Sequence, residues 1–346
     1  MSGGVDSTVT ALLLRDAGWR VLGITMKVPV AAAQDPALTC GGANAADVCR
    51  DLGLPHYYVE VAGAFETCVI EPFRRAYAEG RTPNPCVACN ASLKFGRVWD
   101  LIEAKLGVKA VATGHYARVI REEGRTFLAS GSDKSRDQSY FIYRIPSHRL
   151  QHFHLPIGDL SKDRVRAIAE AAGLEVASRP DSMELCFAGE GDYRHVLNMP
   201  KAGNGPILSL DDEVLGEHDG IWNYTVGQRR GLGVAAGSPI YVVRIDPARN
   251  AVIVGTREDA GARRVSVCLL NVLIPELLDS TDLLGGKIRS YSRAAPCCVV
   301  TCDNDRLTVE FETPQFAPTP GQQLVLYDEQ DRVVAGGTII SEPGAE

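Results

Sequence analysis

The chain has 346 residues, 36 basic against 43 acidic, a net charge of -7 and a 45% hydrophobic fraction, the balance of a globular protein large enough for two or three domains. No apolar run nears the roughly 18 residues that span a bilayer, and no basic-then-apolar leader opens the chain, so neither a membrane-spanning nor a secreted protein is expected and the chain reads as cytosolic. The negative charge excludes nucleic-acid binding through a uniformly basic surface, while leaving room for local basic patches.

In chain order, Val9 to Trp19 reads as a helix carrying Leu12, Leu13 and Leu14 to a stop at Gly18, and Arg20 to Val28 as a buried strand. A helix over Ala45 to Leu52, the strand "HYYVEV" and a helix from Phe65 to Ala78 follow. A further helix is expected to begin near Asn90, with Leu93, Phe95, Val98, Leu101 and Ile102 apolar, and to lead into the strand "AVATGHYARVI". This alternation predicts an α/β domain with a parallel sheet, helices on both faces and ligands at the carboxyl ends of the strands.

After about residue 197 the texture becomes Gly- and Pro-punctuated β structure, with "DPARN" as a turn inside "IYVVRIDPARNAVIV". From about Arg264 five or six short strands have the spacing of a small barrel. Three domains are expected, over 1–197, 198–263 and 264–346.

The chain opens "MSGGVDSTVTALLL". Two adjacent glycines let the backbone N–H groups of Ser2 to Ser7 approach an anion, and the following helix points its positive end at the same place. No lysine follows the glycines, unlike the common phosphate-binding loop. Asp6 is a candidate magnesium ligand, and Ser7 can donate to a phosphate or cap the helix. A plain turn and helix cap is the competing reading.

Ten cysteines in a chain of this class suggest packing residues plus a few reactive or metal-binding thiols rather than a disulfide framework. Cys268, Cys297, Cys298 and Cys302 lie in strand-like runs and read as packing, and Cys40 and Cys49 carry no assignment. "GRTPNPCVACNASLKFG" places Cys86-x-x-Cys89 before the expected helix, where the macrodipole would favour a thiolate and make Cys89 a candidate nucleophile. Cys186, in "DSMELCF", follows the amphipathic segment "KDRVRAIAEAAGLEV" in a loop-like stretch. For any one of these thiols packing is the competing interpretation.

The opening loop resembles that of the ATP pyrophosphatase group, in which an apolar strand precedes it; an upstream strand is therefore expected here. Together "SGGVDS", "GRTPNPCVACN", "ATGHYARV", "DQSYFIYR", "DSMELCF", "GEHDGIWNYTVGQRRGLG" and "TPGQQL" stand in the order seen in the bacterial tRNA 2-thiouridylase family, and the resemblance covers essentially the whole chain. It implies a Rossmann-like domain of the adenine nucleotide alpha hydrolase type, a small mixed domain and a C-terminal β-barrel contacting tRNA. The implied reaction is ATP-dependent conversion of the wobble uridine to 2-thiouridine, with Cys89 as nucleophile and Cys186 as persulfide carrier forming a disulfide that must be reduced each turnover.

The same resemblance implies ATP contacts at Ser2, Gly3, Gly4, Val5, Asp6, Ser7, Met26 and Gly114. It implies tRNA contacts at Asn84, Pro85, Cys86, His115, Arg136, Asp137, Gln138, Arg289 and Gln322. A flipped-out base needs backbone contacts as well as a pocket. Partners are then tRNA and a sulfur-relay or cysteine desulfurase donor, with a monomer as the simplest state. For Arg229 and Arg230, phosphate contact and solvated surface both stay open.

Two positions depart from the family pattern. The basic residue usual after Arg289 is replaced by "SYSR", which can move that role to Arg293. Cys86 stands where Asp is common, so Cys86, Cys89 and Cys186 form a possible three-thiolate set for a 4Fe-4S cluster, with a structural zinc as the weaker option. A small-molecule AMP-forming enzyme of the same loop group and a tRNA-binding protein without catalysis are the rival functions.

Overall fold

The computed structural model describes residues 1–28, 44–179, 185–188, 193–197, 203–279 and 282–341; Cys40 lies outside them. The described chain divides into two compact units: Met1–Val69, Cys86–Val196 and Asp331–Val333 in the first, and Ile70–Pro85, Leu197–Gln330 and Val334–Glu346 in the second.

The first unit begins with helix α1 (Val5–Asp16), which buries Val5, Val9, Ala11 and Leu12. These pack with Val48 and Leu52 of α2 (Asn44–Asp51) and with Val165 and Ala169 of the helix Lys162–Ala171. Burial of four such side chains at about 1.5–3 kcal/mol for each large one anchors the glycine loop ahead of α1. As the sequence suggested, Gly18 stops the helix: it follows the last residues of α1 with a φ of +84° that suits glycine, and its N–H returns to the Arg15 carbonyl.

Strand β1 (Gly23–Lys27) pairs in parallel with β2 (His56–Glu60), Gly23 opposite His56 and Lys27 opposite Glu60. Strand β3 (Val111–Ala112) pairs in parallel with β6 (Phe153–His154). The two pairs are separate two-stranded sheets, where a single parallel sheet was expected. The predicted strand over "AVATGHYARVI" is also divided: it breaks after Ala112, and Ala117–Glu122 (β4) instead forms an antiparallel hairpin with β5 (Arg125–Ser130). The break falls at Gly114, where the chain passes against α1.

The helix expected from Asn90 starts earlier. It runs through Pro85–Ala88, a π-helical stretch Cys89–Val98 and Trp99–Leu106, ending at Gly107 with φ +64°. Proline at the first helical position costs no hydrogen bond, because that N–H has no intrahelical partner in any helix.

The second unit holds a four-stranded sheet in the order β8-β7-β10-β9, made of Gly205–Leu208 (β7), Val214–His218 (β8), Tyr241–Asp246 (β9) and Ala251–Gly255 (β10). Its core includes Ile207, Val242, Val252 and Val254. The expected turn at "DPARN" joins β9 to β10, with Asp246 accepting from the Arg249 N–H and Asn250 at φ +47°.

Six strands then close a barrel in the order β11-β14-β13-β12-β15-β16, comprising Gly261–Val272, Leu284–Lys287, Ala295–Cys302, Arg306–Phe316, Gln323–Tyr327 and Val333–Ile339 for β11 to β16. Val265, Val267, Cys297, Leu307, Val309, Phe311, Leu324 and Leu326 are buried. Burial pushes the Cys297 thiol up to about 12, so it stays a protonated packing residue. Cys298 and Cys302 on the same strand are exposed and Cys268 is intermediate, so the packing reading of these strand cysteines is complete only for Cys297.

Candidate active site

The glycine loop forms one wall of a cavity of about 430 Å³ in the first unit, lined also by Met26, Lys94, Gly114, His115 and Gln138. Gly3 takes φ +74°, and Gly4 is extended ahead of α1. The two loop serines lock the turn: the Ser2 N–H donates to Ser7 Oγ at 3.2 Å, the two hydroxyls lie 3.0 Å apart, and Ser7 Oγ donates to the Gly4 carbonyl at 3.1 Å. The first turn of α1 faces this loop with N–H groups that have no partner inside the helix, which favours an anion there.

Gly114 is fixed by contact. A Cβ on it would stand 2.7 Å from the Asp6 carbonyl carbon and 2.9 Å from the Ser7 nitrogen. The backbone beyond β3 therefore lies directly on the start of α1, and this approach places His115 on the cavity wall beside the loop. His115 Nδ1 lies 2.8 Å from Thr113 Oγ1. Burial, with Lys94 nearby, pushes the imidazole down to about 3, so it is neutral at ordinary pH and can serve as donor or acceptor.

Asp6 already has partners. Lys162 Nζ lies 2.8 and 2.9 Å from its two carboxylate oxygens, and the Tyr116 hydroxyl donates to Oδ1 at 2.8 Å. The Lys162 side chain is 7% exposed and that of Asp6 32%. A magnesium ion on Asp6 does not fit this arrangement, since it would have to displace a like charge seated on both oxygens. Lys162 and Tyr116 are the residues that sequence reading missed. The only signal for Lys162 was the missing lysine after the glycines; the side chain that supplies it comes from 156 positions away.

The cysteines are placed less as expected. Cys89 is buried and sits past the first turn of its helix, whereas Cys86, which is exposed, is in that first turn. The macrodipole falls off within one turn, so the helix-end argument for an activated thiolate applies to Cys86 rather than Cys89. The π-helical stretch that starts at Cys89 sends Lys94 and Phe95 to the cavity wall. Cys186 is exposed, next to Phe187, which packs against Phe65 with ring centroids 5.8 Å apart. Among the described residues no three His, Cys, Asp or Glu side chains gather as a metal-binding group, so the arrangement does not fit a cluster on Cys86, Cys89 and Cys186 or a zinc there.

Of the residues expected to meet tRNA in the first unit, Arg136 is exposed and Gln138 lines the cavity, its amide oxygen accepting from the Tyr116 N–H at 3.0 Å. Asp137 is buried and accepts from Gly131 N–H, Ser139 N–H and Ser139 Oγ within 3.1 Å, a loop-organising role.

The second unit gathers others. Gln322 Nε2 donates to the Thr82 carbonyl at 2.9 Å and the Thr82 N–H donates to Pro320 O at 2.9 Å, so the segment carrying Asn84 and Pro85 is fastened to the loop before β15. Arg289 donates to Ala317 O at 2.8 Å and Thr319 Oγ1 at 3.2 Å, reaching the same loop. Arg229, Arg230 and Arg293 are exposed.

A glycine loop feeding a helix beside parallel strands, with a β-sheet module and a closed barrel elsewhere in the chain, defines a nucleotide-binding α/β enzyme class carrying two β modules. Residues 1–190 match the family described as tRNA methyl transferase HUP domain, 196–256 its PRC-barrel domain and 279–340 the aminomethyltransferase beta-barrel domain. The chain is 43% identical to tRNA-specific 2-thiouridylase MnmA 1 of Syntrophus aciditrophicus over 98% of its length and 91% of that protein. It is 42% identical to the protein of that name from Syntrophotalea carbinolica, covering 98% and 97% of the two chains, and 43% identical to that of Moorella thermoacetica, covering 99% and 98%. The chain belongs to the tRNA-specific 2-thiouridylase family.

Proposed function

We propose that this protein is an ATP-dependent tRNA uridine 2-sulfurtransferase acting on the wobble position. The observation that carries the reading is the single cavity lined by Ser2, Asp6, Ser7, Met26, Gly114 and His115, joined to family membership over nearly the whole chain. The uracil 2-carbonyl is a poor electrophile with a poor leaving group. Attack of its oxygen on the α-phosphorus of ATP expels diphosphate and leaves an O-adenylate, so that AMP becomes the leaving group.

In this reading the outer sulfur of a Cys186 persulfide, delivered by a relay protein or cysteine desulfurase, attacks C2 and AMP departs. The Cys89 thiolate then attacks Cys186 Sγ, the S–S bond to the transferred sulfur breaks, and 2-thiouridine is released with a Cys89–Cys186 disulfide. Two electrons from an external thiol restore the thiols. Loop N–H groups hold the phosphates, and the Asn84–Pro85 segment with Arg289 and Gln322 meets the tRNA. An iron-sulfur route through Cys86, Cys89 and Cys186 lacks a gathered ligand set among the described residues.

The test is reconstitution with tRNA, ATP and a persulfide source, measuring 2-thiouridine, AMP and diphosphate. Wild type forms all three in step; Cys186→Ala and Cys89→Ala form no 2-thiouridine. Unchanged product with either alanine variant, or diphosphate release independent of tRNA, points instead to a small-molecule AMP-forming enzyme.

A further inference from the structure

The loop that receives the nucleotide carries a carboxylate of its own, and ATP brings about four negative charges at neutral pH. A bare Asp6 within the first turn of α1 would oppose that ligand, since like charges repel strongly where the effective dielectric is well below that of water. The structure shows why this cost is avoided. Lys162 spans both Asp6 oxygens at 2.8 and 2.9 Å, is 7% exposed, and leaves its helix directly after Ser161, which caps it by accepting from the Arg164 N–H. Tyr116, from the segment following Gly114, donates to the same carboxylate at 2.8 Å.

We infer that Lys162 is the charge-balancing residue of the nucleotide loop: it, and not a magnesium ion, is the counter-ion of Asp6. The pair, with Lys162 buried and Asp6 half-buried on the cavity wall, leaves the loop with N–H dipoles and no net carboxylate charge facing the phosphates. Lys162 acts through Asp6 and is thus a positioning residue. The inference rests on the ATP-binding part of the proposed function and adds a residue and a charge state to it.

The experiment is equilibrium binding of ATP and of adenosine, each with and without magnesium, to wild type, Lys162→Gln, Asp6→Asn and the double variant. Unmasking the carboxylate in K162Q weakens ATP binding by about tenfold or more, a change equivalent to about 1.4 kcal/mol, and leaves adenosine affinity unchanged. Removing the carboxylate as well, in D6N/K162Q, restores ATP affinity toward wild type. A residue that touches phosphate directly would show no rescue, and a magnesium-ligating Asp6 would make D6N lose the magnesium-dependent part of ATP binding; either result overturns the inference. Should K162Q fail to fold, the comparison of wild type with D6N and D6N/K162Q, both free of a bare carboxylate, decides by the same magnesium criterion. Wild type that binds adenosine but never ATP would overturn the proposed function itself, whereas normal ATP binding with an indifferent K162Q overturns this inference alone.

Discussion

Gln322 donates its side-chain N–H to the backbone carbonyl of Thr82, 240 positions away, and thereby fastens the segment that presents Asn84 and Pro85. Gly321, beside it, holds φ +95° and would place a Cβ 2.8 Å from that same carbonyl oxygen. A single neutral hydrogen bond contributes about 0.5–1.5 kcal/mol net, so Gln322→Ala is expected to weaken tRNA binding by about threefold to tenfold with ATP affinity unchanged. Gly321→Ala, which adds both backbone strain and an overlap, is expected to cost more, about 1–3 kcal/mol. Filter binding of the tRNA beside isothermal titration with ATP checks both; equal loss of ATP affinity would assign Gln322 a general structural role.

Gly114→Ala tests the contact that brings the histidine segment to the loop. The added methyl would lie 2.7 Å from Asp6 backbone carbon, which no rotamer can relieve. Either α1 or the post-β3 segment must move, at an expected cost of about 1–3 kcal/mol in stability. ATP binding should fall well beyond what the stability change explains, because the displaced atoms belong to the loop. Thermal denaturation with and without ATP measures the two effects on one sample, and a variant that keeps its full ligand-induced stabilisation would contradict the placement.

Much of this was legible in the sequence wherever one short stretch carries its own signal. Gly18 as a helix stop, the Asp246–Asn250 turn and the strand spacing of the barrel all rest on residues within a few positions of each other. "AVATGHYARVI" has the apolar content of one strand, but Gly114 lies on α1, and that tertiary contact breaks the strand in two. The helix expected from Asn90 begins at Pro85 instead, a residue well suited to the first turn. The Asp6–Lys162 pair joins side chains 156 positions apart, and no local pattern encodes it.

The histidine on the cavity wall has a consequence for pH. Its folded-state value, about 3, lies below its ordinary 6.5 because burial disfavours the charged ring. Below 6.5 the unfolded chain therefore binds the proton that the folded chain refuses, and stability falls as pH drops through the interval from 6.5 to about 3. One such group contributes a slope of up to about 1.4 kcal/mol per pH unit. His56 and His154 are shifted down by burial as well and act in the same direction. Urea unfolding at about pH 7 and about pH 5 should show wild type losing stability and His115→Gln losing about 2 kcal/mol less; identical losses would mean that the ring is solvated and titrates normally.

Residues of both parallel strand pairs line the same cavity. On β1 the Gly23 N–H is used toward β2, by Pro55 O, so alternation turns Leu22, Ile24 and Met26 the other way, and the Ile24 carbonyl indeed accepts from the Met1 ammonium. On β3 the Val111 and Thr113 N–H groups are used toward β6, by His152 O and His154 O, so Ala110, Ala112 and Gly114 turn away from it. All six outward-turned residues line the cavity. An apolar extended segment fused ahead of Met1 and running into the glycine loop is expected to pair with these edges, at about 0.5–1.5 kcal/mol for each hydrogen bond formed. Adding about five β-branched residues there should raise the melting temperature by several degrees and strengthen ATP binding, because the loop then hangs from a paired strand. An equally long Gly-Ser extension should do neither, and equal melting temperatures for the two fusions would show that the edges do not accept a strand.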